Sequence, residues 1–247
     1  MQAASASHAP PALSALAAHG QVALFLDFDG TLVDLAARPD AIRPAVDLCA
    51  RLEALCVRLG GACALVSGRS IADIERHIGH IDVPIAGSHG ADIRGPGGTR
   101  LGTGPVALPA AIESELRAFA KVEGIDYEHK PHGGALHYRS RPQSRAKTHS
   151  FAKALAAKHG WTTQSGKCVV ELVAGHANKG SAVEILMGEE KFAGARPVFL
   201  GDDLTDEAGF AVCQGQGGLG ILVGPKRDTH AQYRLDSVAC VHNWLEF

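Results

Sequence analysis

Two aspartates separated by one residue and followed by a glycine stand out first: Asp27-Phe28-Asp29-Gly30-Thr31. One carboxylate of such a pair can serve as a covalent nucleophile, as in aspartyl-phosphate chemistry, while the other moves protons. Gly30 frees the backbone to turn immediately after them. A helix-capping aspartate or a calcium loop would use similar residues. An EF-hand, however, needs a third oxygen ligand before the glycine, a Glu downstream and helices on both sides. The five residues before Asp27, VALFL, instead read as a buried strand.

Three further stretches carry matching chemistry. Ser67-Gly68-Arg69 follows a second apolar run and offers a hydroxyl and backbone N–H groups to a phosphate oxygen, unless it is only a helix-entry turn. Lys179 opens a helix, where positive charge opposes the helix dipole. It is either an exposed lysine or one that neutralises a phosphoryl group and nearby carboxylates. The run Gly201-Asp202-Asp203-Leu204-Thr205-Asp206-Glu207 places four acidic groups within six residues after a third apolar run. Such crowding favours a cation, and Mg2+ takes oxygen ligands, typically one or two carboxylates with substrate phosphate and water. A solvated acidic helix start is the other reading of the same residues.

These stretches need elements to position them. Apolar runs at 22–26, 62–66, 83–86, 197–200 and 220–223 alternate with amphipathic helices, of which 45–59 is the clearest, with Ala45, Leu48, Cys49, Leu52, Leu55, Cys56 and Leu59 on one face. Ser70 caps the next helix, Asp73 sits at the capping-box position and Gly79 ends it. The order predicts an α/β fold: a doubly wound, mainly parallel sheet with helices on both faces. Ligands in such sheets bind beyond the carboxyl ends of the strands, where Asp27, Ser67 and Asp202 fall.

Past a Gly/Pro-rich boundary at 95–104 the pattern changes to helix 109–122, strand 135–139, helix 144–159 and strand 168–173. This predicts a small α+β unit, residues 104–174, inserted into a core of 21–103 and 175–247. Helix 178–187 returns to that core, and residues 1–20 read as a loose, Ala-rich leader with a short helix at 11–18.

Composition removes other classes. The 24 basic and 26 acidic side chains leave a net charge of −2, which gives no reason to expect nucleic acid or an anionic membrane as partner. No run is long enough to span a bilayer or to act as a signal peptide, so a cytoplasmic protein is expected; a monomer is expected as well, with an oligomer left open. The six cysteines form no C-x-x-C pair and read as small buried thiols. His129, His132 and His137 lack any zinc-motif spacing, and neither a P-loop, a G-x-G-x-x-G after a strand nor a G-x-S-x-G elbow is present.

In combination and order, D-F-D-G-T, Ser67, Lys179 and GDDLTD resemble the haloacid dehalogenase superfamily, and the insertion resembles its mobile cap domain. GSHGAD (87–92), ALHYR (135–139), GKCVVEL (166–172) and PVFLGDDLTDE (197–207) are similar to the trehalose-6-phosphate phosphatase family, from residue 22 to the final helix. Two departures are Asp92, where that family more often has Glu, and Ala174, where Pro is usual.

The resemblance implies a phosphoric monoester hydrolase that performs the last step of trehalose biosynthesis, with the sugar phosphate as its small-molecule partner. It implies that Asp27 attacks phosphorus and that Asp29 acts as acid and then as base. Mg2+ would be held by Asp27, the backbone carbonyl of Asp29 and Asp202, with Asp203 and Asp206 as outer or alternative ligands. Ser67 and Lys179 would hold the phosphoryl oxygens. Lys130 and Glu171 would grip the sugar hydroxyls, with Arg139, His89 and Arg69 lining the cleft. Another sugar phosphatase or a phosphomutase of the superfamily remains open. A non-catalytic sensor would be expected to lose Asp29 or Lys179, and a receiver domain would lack the insertion.

Overall fold

Alternating side chains of the strand Val22–Leu26 build both hydrophobic layers of the core. Leu24 and Leu26 pack on one face with Leu48, Leu52, Leu55, Ile74 and Val241. Ala23 and Phe25 pack on the other with Ala182, Val183, Leu186 and Phe210. A strand covered on both faces reads as a continuous apolar run because its period of two is hidden.

The computed structural model describes every residue except 1–3, 6–7, 105, 131, 167 and 175–176. The chain forms two compact units, Met1–Gly102 with Asn178–Phe247, and Thr103–Ala177. The first holds an eight-stranded sheet ordered Tyr233–Leu235, Leu219–Val223, Arg196–Gly201, Val22–Leu26, Cys63–Val66, Ile85–Gly87, Asp92–Arg94 and Arg100–Leu101. The first six strands are mutually parallel; Asp92–Arg94 pairs antiparallel with Ile85–Gly87, and Arg100–Leu101 pairs antiparallel with Asp92–Arg94. Val22–Leu26 comes first in this core yet lies between Arg196–Gly201 and Cys63–Val66. Strand order reverses there, which makes its carboxyl end the topological switch point.

Two expectations change. The 95–104 stretch is more than a boundary, since Arg94 pairs with Arg100 and the Gly95 N–H donates to the Thr99 carbonyl at 2.7 Å. Gly97 and Gly98, at φ of 65° and 78°, make the turn that hides this hairpin from a reading of apolar runs. The leader is not loose over its described part. Leu13 and Leu16 of the helix Leu13–Ala17 are buried in the core. The Trp244 indole N–H donates to the Pro11 carbonyl at 2.8 Å, and the Arg234 N–H to the His8 carbonyl at 3.0 Å. Residues 1–3 and 6–7 of the expected leader, and 175–176 at the expected restart of the core, lie outside the described residues.

The second unit is an antiparallel sheet ordered Asp126–Lys130, Gly133–His137, Val169–Ala174 and Trp161–Gly166. Leu136, Val170 and Leu172 on one face pack with Ile112, Leu116, Ala152 and Leu155 from the helices Ala110–Glu123 and Arg145–His159. Among the described residues, no helix is long and apolar enough to cross a membrane.

Candidate active site

Asp27 is the first residue after Val22–Leu26, and its N–H donates to the Leu200 carbonyl at 3.0 Å, which fixes it beside the end of the neighbouring strand. Asp202 follows that neighbour, Arg196–Gly201. Close approach of the two loops depends on glycine. A Cβ on Gly30, whose φ is +78°, would fall 2.3 Å from Asp202 Oδ2, and one on Gly201 would fall 2.2 Å from Asp206 Cγ.

Carboxylate oxygens of Asp27, Asp202 and Asp206 lie within 4.8 Å of one another. Lys179 Nζ donates to Asp27 Oδ1 at 2.7 Å and to Asp206 Oδ1 at 2.6 Å. Lys179 starts the helix Lys179–Met187, capped by a reciprocal pair in which Asn178 accepts from the Ser181 N–H. Its charge opposes the helix dipole and is placed by the carboxylates instead. Lys179, Asp27 and Asp206 are 3%, 4% and 0% exposed. Burial pushes the Asp27 carboxyl well above the ordinary range; Lys179 opposes that rise, while Asp206 and Asp202 add to it. Burial alone would lower the Lys179 ammonium, but Asp206 and Asp27 outweigh it and hold it protonated.

Three carboxylates against one ammonium leave two formal negative charges at this cluster. That imbalance and an all-oxygen donor set fit a divalent hard cation. Asp203 lies in the same loop, but its carboxylate caps the Leu204 N–H at 2.7 Å, and its own N–H donates to Asp206 Oδ2 at 2.8 Å.

Asp29 faces a different partner. Arg69 Nε and Nη2 donate to its two oxygens at 2.6 and 2.7 Å, and Arg69 Nη1 reaches Asp73 at 2.6 Å. Asp73 thus spends its carboxylate on arginine, while only its N–H meets the Ser70 hydroxyl at 3.2 Å. Ser67 is buried, and its Oγ accepts from the Arg69 N–H at 3.2 Å. His89 is buried in a left-handed turn at φ 57°, its N–H donating to the Ser67 carbonyl and its ring against Gly68. The core therefore gathers Asp27, Lys179, Asp202 and Asp206 into one network, and Asp29, Arg69, Ser67 and His89 into an adjoining one.

Within the inserted unit, Lys130 Nζ donates to Glu171 Oε1, and Glu171 is buried. Strand register places Glu128, Ala135, Glu171 and Gln164 in one row across the sheet, on the face opposite the helices. Arg139 sits in an exposed turn after Gly133–His137. Glu128 is the residue that sequence reasoning missed: it lies two positions before Lys130 and therefore on the same face. Recognising the polar run DYEHK as a strand would have found it.

An open, mainly parallel sheet with Asp27 at its switch point and an inserted α+β unit is the architecture of the haloacid dehalogenase-like fold. A solved phosphatase of that superfamily from Bacteroides thetaiotaomicron shares the fold, at TM-score 0.61 and 14% identity over 91% of this chain and 92% of that one. The C-terminal domain of the Candida albicans trehalose-6-phosphate phosphatase shares it more fully, at TM-score 0.78 and 23% identity over 97% of both.

Sequence narrows the class. The trehalose-phosphatase family model matches residues 25–239, and the chain belongs to that family of phosphoric monoester hydrolases. It is 41% identical over 206 residues to a probable trehalose-phosphate phosphatase of Sinorhizobium fredii, covering 82% of this chain and 78% of the relative. To the trehalose-6-phosphate phosphatase of Escherichia coli it is 38% identical over 232 residues, covering 91% and 85%.

Proposed function

We infer that this protein hydrolyses trehalose 6-phosphate to trehalose and phosphate, with Mg2+ and through an aspartyl-phosphate on Asp27. The observation that carries the chemistry is the buried Asp27–Lys179–Asp206 arrangement at the switch point of the sheet. The family membership above carries the substrate.

In this reading an Asp27 oxygen attacks phosphorus in line, and the bond from phosphorus to the sugar oxygen breaks. Asp29 gives that departing oxygen its proton, then takes one from a water. The water oxygen attacks phosphorus, breaks its bond to Asp27 and releases inorganic phosphate. Phosphoryl transfer asks mainly for alignment and for cancellation of charge on the equatorial oxygens. Lys179 and Ser67 supply part of that cancellation. Asp27, Asp202 and the Asp29 carbonyl would hold Mg2+, with Asp206 as an outer or alternative ligand, and the ion would supply the rest.

Asp29 must change partners during the cycle. Both its oxygens accept from Arg69, which suits the form that takes a proton from water. The acid form must free an oxygen to carry its proton. Lys130 and Glu171, joined by Glu128, offer the sugar hydroxyls a row of charged acceptors and donors, and Arg139 of the same unit is a further proposed contact.

Inorganic phosphate release from trehalose 6-phosphate, sucrose 6-phosphate, glucose 6-phosphate and mannose phosphates, with Mg2+ and with EDTA, tests this reading. Fast, EDTA-sensitive release from trehalose 6-phosphate above the others is expected. Preference for a different sugar overturns the substrate. No release from any of them by folded protein with Mg2+ overturns the reaction.

A further inference from the structure

Glu207 follows the acidic loop directly, yet its carboxylate turns away from the Asp27 cluster. Oε1 accepts from the Arg227 guanidinium and from the Thr229 hydroxyl at 2.8 Å. Oε2 accepts from the His230 N–H at 2.7 Å and lies 3.0 Å from His230 Nδ1. Arg227 uses its second terminal nitrogen to donate to the Asp203 carbonyl at 2.8 Å. A chain of contacts thus runs from the segment after the strand Leu219–Val223 into the backbone immediately behind Asp202.

We propose that Glu207 and Arg227 are positioning residues for the metal site. Arg227 fixes the Asp203 carbonyl, and with it the direction in which the adjacent Asp202 carboxylate leaves the backbone. Glu207 holds Arg227 in place and cancels its charge, so that a guanidinium near the acidic loop does not compete with a bound cation. The idea rests on the Mg2+ reading above. Groups that orient metal ligands typically change affinity by about 10- to 100-fold when removed.

The test is calorimetric titration of the full-length protein with Mg2+ alone, for wild type, Glu207→Gln, Arg227→Gln, the double variant and Arg227→Lys. Melting in EDTA reports folding separately. Each single Gln variant is expected to weaken Mg2+ binding about tenfold. The double variant should lose little beyond the weaker single, because both act through one path. Arg227→Lys, which keeps a donor, should fall between and serves where a Gln variant does not fold. Mg2+ affinity within about twofold of wild type in the folded variants, even with lowered melting temperature, reduces the pair to a loop staple and overturns the proposal. Absence of Mg2+ binding by wild type itself overturns the metal reading, and the proposal falls with it.

Discussion

The two units handle charge in opposite ways. In the core, Asp27, Lys179 and Asp206 are all but sealed from water. In the inserted unit, Glu128 and His137 pair at 2.8 Å with side chains 40% and 30% exposed, beside a more covered Lys130–Glu171 pair whose side chains keep 20% and 11% of their surface. Buried charges interact strongly and are costly to leave unpaired. Half-exposed pairs contribute little to stability and exchange readily for other polar partners. The first arrangement suits a reaction that must cancel charge in a fixed geometry. The second suits recognition of a hydroxyl-rich ligand whose arrival replaces one set of hydrogen bonds with another. Variants in the core should therefore change turnover, and variants on the polar sheet face should change substrate affinity.

Asp27→Asn should show the largest effect. Loss of a covalent nucleophile is expected to lower phosphate release by about 10^4-fold or more. The cluster already drives the Asp27 carboxyl toward its neutral form, which Asn mimics, so melting in EDTA should occur no lower than for wild type. A variant that melts well below wild type in EDTA would sink the excess-charge account of the site. Lys179→Met does the reverse and leaves two buried carboxylates without their ammonium. Destabilisation of about 3–5 kcal/mol is expected, with turnover down by about 10^2 to 10^3. Chemical denaturation with and without Mg2+ measures the first figure, and Mg2+ should recover part of it. Unchanged stability in this variant would mean that Lys179 is not the counter-charge its contacts imply.

Glu171→Gln and Lys130→Ala probe the other half of the comparison with a smaller effect. KM for trehalose 6-phosphate should rise about tenfold, the weight of one or two charged hydrogen bonds, while kcat changes less. Hydrolysis of a small aryl phosphate, which has no second sugar to grip, should be unaffected. A fall in kcat on both substrates would assign these residues to the chemistry and dissolve the division of labour.

Legibility in the sequence followed the same division. Val22–Leu26 was readable because both of its faces are buried, so every residue is apolar. Ser70 as a cap and Gly79 as a stop held for the helix Ile71–Ile78, because local hydrogen bonds decide them. Asp126–Lys130 and Trp161–Gly166 were not legible, because edge strands with a solvated face carry polar residues that resemble loop. At the site, residue types showed that Asp27, Lys179 and Asp202 belong together. They did not show that Arg69 would hold Asp29, since that contact spans 40 positions and depends on where two loops meet. The Glu207–Arg227 link, 20 positions long, left no pattern at all.

The smallest expected effect lies in the inserted unit and separates its stability from that of the core. Burial pushes the Tyr127 hydroxyl up to about 12, the Glu113 charge adds to this, and Arg117, 4.6 Å from the ring centre, opposes it. A raised value means that the folded unit favours the neutral phenol. An unfolded tyrosine ionises near 10, so this contribution is fully present below about pH 10 and is lost as pH rises toward 12. The two tryptophans give each unit its own signal, Trp161 in the inserted sheet and Trp244 in the core. Denaturant unfolding followed through Trp161 in a Trp244→Phe background should lose stability between about pH 10 and 12. Tyr127→Phe in the same background should lose less over that interval, whatever its starting stability. Equal losses with and without the hydroxyl would move the alkaline sensitivity to another group, Tyr138 being the next, since burial raises it too.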